Sequence, residues 1–242
     1  MNMNKPLIAI TGASSGIGEA TAKLFSKNGH PLLLLARRIE KIEGFNLPNT
    51  LCKKVDVTNI EVLKNAITEA EEKFGPVDCM INNAGMMLLG DIATQNPIEW
   101  KKMFDVNILG LLNGMQAVLP QMKKRQSGTI INTSSIAGRK TFPNHAVYCG
   151  TKFGVHAITE NAREEAALSN VRMVTIAPGA VETELLSHTT SEDIKEGYEN
   201  WKKDMGEILN PNDIANAMWY AYNQPQGVNI REIVIAATKQ QP

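Results

Sequence analysis

The chain has 242 residues, 43% of them hydrophobic, with 25 Lys+Arg set against 25 Asp+Glu. That is enough for one domain with a large core, or two small ones. A formal charge of zero excludes the basic footprint of a nucleic-acid binder and the charged patch of a membrane-surface protein, and no apolar run approaches the length that spans a bilayer.

The N-terminus, Met1-Asn2-Met3-Asn4-Lys5, does not read as a signal peptide. Cys52, Cys79 and Cys149 lie far apart with no Cys-x-x-Cys, an odd, sparse set that reads as free thiols in a reducing compartment. The expectation is a cytoplasmic enzyme-sized protein. Pro6–Ile10 is a short apolar run, and Glu19–Phe25 has helical spacing. Between them stands Thr11-Gly12-Ala13-Ser14-Ser15-Gly16-Ile17-Gly18. Its glycines therefore fall at a strand-to-helix turn, where unpaired N–H groups favour the pyrophosphate of a dinucleotide. Gly12 permits the tight turn, Gly16 clears space for phosphates, and Gly18 lets the helix lie close on its strand.

Asn28-Gly29 ends that helix, and Pro31–Ala36 is a continuous apolar run, the mark of a strand buried on both faces. Arg37-Arg38 closes it. At the end of the second strand of a βαβ unit an acidic residue would bind the 2′-OH of NAD, whereas an arginine accommodates the 2′-phosphate of NADP. Ala36-Arg37-Arg38 offers no carboxylate and so favours NADP(H), with Arg37 weighted above Arg38 because it directly follows Ala36. A third strand is expected near 51–57, then a helix capped by Thr58 or Asn59 and stopped by Gly75-Pro76. Val77–Ile81 reads as the fourth strand, followed by Asn82-Asn83-Ala84-Gly85, which taken alone is an ordinary turn. Pro97 opens helical sequence, and a long helix to about Arg125 carries apolar residues around much of its circumference. Asn107 sits in its middle and needs a partner.

Thr129–Thr133 is the fifth strand, ending in Ser134-Ser135. An irregular stretch from Ile136 to Ala146 leads to a helix from Val147 to about Leu168, then Val171–Ala177 as the sixth strand and Pro178-Gly179. Residues 180–205 are polar with Leu185, Leu186, Tyr198 and Trp201 interspersed. Asn210 starts a helix to about Asn223, and 228–237 reads as a last strand. This unbroken alternation predicts one α/β domain over residues 1–242, a doubly wound seven-stranded parallel sheet of Rossmann type with helices on both faces. Ligands of such a sheet bind outside the carboxyl ends of the strands. Gly12–Gly18, Arg37-Arg38, Asp56, Asn82–Gly85, Ser135 and Pro178-Gly179 all fall there.

On these residues the chain resembles the short-chain dehydrogenases/reductases. The resemblance rests on Thr11-Gly12-x3-Gly16-Ile17-Gly18, Asn82-Asn83-Ala84-Gly85, Asn107, Ser135, Tyr148-x-x-x-Lys152 and Pro178-Gly179, and spans nearly the whole chain. The Ala36-Arg37-Arg38 ending resembles the NADP-preferring members that act on hydroxy acids and assorted carbonyls. It implies hydride transfer between NADP(H) and a carbonyl or alcohol, with Asn107, Ser135, Tyr148 and Lys152 as catalytic residues. Ser135, thirteen positions before the tyrosine, is selected over Ser134. Tyr148 would be the general acid in reduction and base in oxidation, and Ser135 would stabilise developing charge on the substrate oxygen. Lys152 would also hold the nicotinamide ribose, and Asn107 would anchor a water linking Lys152 to solvent. Asp56 and Val57 would flank the adenine, Asn83, Ala84 and Gly85 its ribose side, and Thr183 the carboxamide. Ser14, Ser15, Ile17, Pro178, Gly179 and Val181 complete the implied cofactor-binding set. Residues 184–206 match the family's substrate loop.

Spacing alone puts Tyr148 and Lys152 on one helix face, and an adjacent ammonium with an oxidised nicotinamide would lower the phenol below its ordinary value near ~10. No metal is expected, since His30, His145, His156 and His188 form no ligand cluster. His145, three before Tyr148, is the one histidine placed to touch a substrate. Met86 and Met87 would suit a permissive pocket. Two other functions keep the fold: an NADP-binding sensor or scaffold without turnover, and an epimerase or dehydratase. Four catalytic-type residues together speak against the first, and the lack of room for a separate substrate domain against the second. Apolar residues all round the helices near 100–125 and 148–168 predict a homo-oligomer, a tetramer in keeping with the family, with a second interface at the last strand and tail.

Overall fold

The computed structural model describes residues 5–240. Seven parallel strands form one sheet in the order 3-2-1-4-5-6-7. They are β1 (Leu7–Thr11), β2 (Leu32–Ala36), β3 (Thr50–Lys54), β4 (Val77–Asn82), β5 (Gly128–Thr133), β6 (Val171–Pro178) and β7 (Glu232–Ile235). Along β1, Leu7 and Ala9 face one side of the sheet while Ile8 and Ile10 face the other, and all four are fully buried. Both faces are therefore covered, which is why the central strands read as unbroken apolar runs.

On the Leu7 face lie α3 (Ile60–Phe74), α5 (Gly110–Arg125) and α6 (Ala146–Ala166), contributing Leu63, Met115 and Val155 to the core. On the other face α1 (Gly16–Lys27) packs against α8 (Pro211–Tyr222), with Phe25 and Met218 between them and the sheet. The short α2 (Ile39–Glu43) adds Ile42 to this layer. Helix starts follow side-chain chemistry. The Asn59 side chain accepts from the Val62 N–H, and Asn210 and Asp213 form a reciprocal capping box on α8.

Several expected boundaries move. The third strand stops at Lys54, so Asp56 and Val57 belong to the turn after it, and the last strand is only Glu232–Ile235. The long helix expected from Pro97 to Arg125 is split into α4 (Pro97–Phe104) and α5 by a wider π turn at Asp105–Leu109. The extra residue in that turn directs Asn107 inward. Residues 180–205 contain a 3-10 turn at Glu184–His188 and α7 (Glu192–Met205).

β1 and β4 are neighbours in the sheet, while their chains continue to opposite sides, so a cleft opens above their carboxyl ends. A buried polar chain braces its floor. Asn82 donates to Asn132 at 2.9 Å, and Asn132 donates to Thr159 Oγ1 at 2.9 Å. Gly114 on α5 lies so close that a Cβ there would overlap the Asn82 side-chain oxygen. In a helix, Gly→Ala normally stabilises by ~1 kcal/mol. Here overpacking wins, so Gly114→Ala is expected to lower urea-unfolding stability by ~1–3 kcal/mol.

Candidate active site

The cleft encloses about 920 Å³ and reaches from the glycine turn to α7. Gly12 and Gly16 adopt left-handed φ of 63° and 54°. A Cβ at Gly12 would stand 2.7 Å from the Ala84 Cα, and one at Gly18 would overlap the Gly12 carbonyl oxygen. The turn thus tolerates no side chain at these places. Ser15 caps α1 without a side-chain hydrogen bond, leaving the first N–H groups of the helix unclaimed and facing the cleft. That cradle fits a pyrophosphate.

Asn83 lines the cleft and also holds the glycine turn. Its amide donates to the Thr11 and Gly12 carbonyls at 3.3 and 3.2 Å, and the Asn83 and Ala84 N–H groups both donate to Thr11 Oγ1. It pins the glycine turn to the end of β4. Asp56 accepts from the backbone and hydroxyl of Thr58, and the Val57 carbonyl accepts from Asn113, so the 56–57 turn is fixed at the cleft edge. Gly85 lies beside the Asn107 side-chain oxygen and Lys152 Nζ.

Of the two arginines, the structure aims Arg38 at the glycine turn. It donates to Ser14 Oγ and Ser15 Oγ at 3.1 and 3.0 Å and pairs with Glu184 at 2.9 Å, while Arg37 is exposed on the cleft wall with no hydrogen bond among the described residues. Arg38, ranked below Arg37 on sequence, is thus the one that reaches the glycine turn. Lys41 on α2 also reaches Glu184, at 3.2 Å. Hydrogen bonds from Arg38 and Lys41 hold the Glu184 carboxyl below its ordinary value. Sequence reasoning missed Glu184 and Lys41. Only charge complementarity across about 145 positions pointed to them, and that is invisible without the fold.

At the other end Ser135, Tyr148 and Lys152 converge on the cleft. Ser134 turns away and donates to the Lys152 carbonyl at 3.1 Å, whereas Ser135 accepts from the Ala137 N–H and lies beside the phenol. Lys152 Nζ sits 5.7 Å from the centre of the Tyr148 ring and donates to the Thr133 carbonyl at 3.0 Å. Burial pushes Tyr148 well above its ordinary value, and the Ser135 hydroxyl only partly opposes this. Asn107 is committed at both ends of its amide, accepting from the Met86 N–H at 2.8 Å and donating to the Met86 carbonyl and Thr151. It clamps the segment after Gly85 rather than presenting a free side chain.

Burial alone lowers Lys152 to about 8. The unfolded chain therefore binds more protons between pH 8 and the ordinary lysine value. The penalty on the fold is complete below pH 8 and fades as pH rises toward 10.5. Lys152→Met removes it, and is expected to raise thermal stability at pH 7 by up to ~3 kcal/mol, less the lost hydrogen bond to Thr133. The gain should vanish above pH 10.5 in thermal melts of both proteins.

Pro178 and Gly179 end β6. The Gly179 N–H donates to the Ile235 carbonyl, Val181 bridges to Leu209, and the Gln240 side chain accepts from the Ala180 N–H. Thr183 rests over Gly16, with its methyl 3.0 Å from where a Cβ there would lie. His145 starts α6, with Nδ1 2.6 Å from the Pro143 carbonyl, its ring centre 6.3 Å from Tyr148 and 6.2 Å from Tyr198. Burial keeps it below its usual value, hence neutral. Tyr198 packs on Trp201 with ring centres 5.2 Å apart, and both line the cleft.

Residues 6–194 match the family model described as short chain dehydrogenase. An uncharacterized oxidoreductase of Staphylococcus saprophyticus is 42% identical, over 99% of this chain and 98% of its own. Among solved structures, the closed form of a serine dehydrogenase complexed with NADP+ superimposes with a TM-score of 0.92 at 28% identity, covering 98% of this chain and 96% of that one. A 3-ketoacyl-(acyl-carrier-protein) reductase from Brucella melitensis complexed with NADH gives 0.85 at 27% identity, over 95% and 96%. No helix among the described residues is long and apolar enough to cross a membrane.

Proposed function

The chain belongs to the short-chain dehydrogenase/reductase family, and from that premise we propose that it is an NADP-dependent oxidoreductase of a carbonyl/alcohol pair in which Tyr148 is the proton donor. The observation that carries the proposal is the convergence of Tyr148, Ser135 and Lys152 at one end of a cleft whose other end is the bare N-terminus of α1. The first-turn N–H groups and Gly12–Gly18 would hold the pyrophosphate, Arg38 with Arg37 the 2′-phosphate, and Thr183 with Pro178–Val181 the nicotinamide end. Bound nicotinamide supplies the hydride.

Ser135 then holds the substrate oxygen, and the Tyr148 hydroxyl transfers its proton to that oxygen. A phenol pushed up by burial is protonated at neutral pH, which suits reduction. Oxidation requires the phenolate, which the Lys152 ammonium favours by its position beneath the ring. The test is oxidation of NADPH, followed at the reduced-nicotinamide band, with a panel of carbonyl compounds. Loss of absorbance with at least one of them supports the proposal, and NADPH binding without turnover on any would favour a sensor.

We also propose a homotetramer. Phe104, Leu109, Leu112 and Phe153 are exposed on the outer sides of α4 to α6, a groove between α5 and α6 is lined by Leu119, Pro120 and Ile158, and Val234 lies exposed on the edge strand β7. Light scattering at micromolar concentration is expected to return four times the 26.5-kDa protomer mass. A monomer mass overturns this. We also propose a cytoplasmic location, a reading that the sparse unpaired thiols support.

A further inference from the structure

We propose that the substrate is a neutral, apolar aldehyde or ketone, and that compounds bearing a carboxylate are excluded. The inference rests on the reductase reading above and narrows it to a substrate class. Beyond Tyr148 and Ser135 the cleft is walled by Met86, Phe142, His145, Leu185, Tyr198 and Trp201. A substrate carboxylate needs a cation or several donors when it leaves water. The basic residues along the cleft are Arg37, Arg38, Lys152 and Lys202, with His145 and His188, both lowered chiefly by burial.

Lys202, on the substrate side, lies between Glu182 at 3.2 Å and Glu199 at 3.0 Å. Lys152 is engaged by the Thr133 carbonyl, Arg38 by Glu184, and Arg37 follows Ala36 at the far end. His145 is neutral, with its Nδ1 used by Pro143. Asp193 adds a negative charge to the same wall. Apart from Lys152, held beneath the Tyr148 ring, no unpaired lysine or arginine among the described residues therefore faces the substrate end, whereas the aromatic pair of Tyr198 and Trp201 offers a flat apolar surface. In the reaction the carbonyl carbon gains a hydride from NADPH and its oxygen gains the Tyr148 proton. NADPH is oxidised to NADP+, and solvent reprotonates Tyr148, so a neutral ketone leaves as a neutral alcohol.

The experiment compares 2-octanone, 7-oxooctanoate and methyl 7-oxooctanoate, whose distant carboxyl leaves carbonyl reactivity unchanged. With saturating NADPH, the ester should match the ketone in kcat/KM and the acid should fall below it by ~10²-fold, as expected for losing a charge-assisted contact while still desolvating the charge. Trp201→Arg should narrow the gap between acid and ester by ~10-fold or more. An acid reduced as well as its ester overturns the inference, as does oxidation of serine or 3-hydroxybutyrate with NADP+ at a rate matching 2-octanol. If neither these three nor any carbonyl of the panel turns over, the reductase reading fails by itself. The class is then decided by quenching of Trp201 fluorescence, taken as the difference between the wild type and Trp201→Phe. Quenching by the ester but not the acid supports the class, and quenching by both or neither overturns it.

Discussion

Tyr148→Phe is expected to lower kcat for carbonyl reduction by ~10²–10⁴-fold while the Kd for NADPH stays close to wild type. The substitution keeps a ring that is 5% exposed and packed over Lys152, so the fold and the ribose end of the cleft lose little. It deletes only the hydroxyl beside Ser135. Because burial raises that phenol, the wild-type reduction rate should stay flat through neutral pH and fall only in alkali, as the proton to be donated is lost. Stopped-flow single turnovers with NADPH separate this loss from product release. Turnover near that of the wild type would remove Tyr148 from the chemistry.

The second large effect concerns cofactor choice. Arg38→Ala is expected to reduce the preference for NADP over NAD, measured as the ratio of kcat/KM values, by ~10- to 100-fold. Arg37→Ala should change it less, because Arg37 lacks the Ser14 and Ser15 hydroxyls that hold Arg38 across the glycine turn. Ala36→Asp should shift the preference toward NAD, since a carboxylate there repels the phosphate and accepts from a ribose hydroxyl. Equal use of both cofactors by the wild type would overturn the assignment whatever the variants do.

The sheet was legible because its inner strands are covered on both faces, and β2 appears in the sequence as Leu32-Leu33-Leu34-Leu35-Ala36 with no polar break. The two misjudged strands, β3 and β7, are the edges of the sheet. Their residues are largely half-buried, so alternation and run length blur, and the apolar pattern overruns the hydrogen-bonded ladder. The π turn was illegible because one extra residue in a helix changes no composition.

Among the site residues, Ser135, Tyr148 and Lys152 all line the cleft. A spacing of four fixes the helix face of Tyr148 and Lys152 but not the end of a lysine chain. Lys152 Nζ turns to the Thr133 carbonyl, and burial then governs the phenol. Asn83 carries a task that the sequence did not announce, since its amide holds the turn that carries the glycines.

The carboxylate of Glu184, shared between Arg38 and Lys41, gives cofactor recognition the character of an ion exchange. A ribose phosphate that takes Arg38 meets a cation already neutralised by the protein and must evict its anion. Little net charge is then gathered from solution, so affinity should respond to ionic strength less than a bare arginine would dictate. The evicted carboxylate belongs to the same turn as Thr183, which rests on Gly16. On the proposed cofactor reading, one carboxylate would thus join the adenosine end of the cleft to the turn that begins at Thr183.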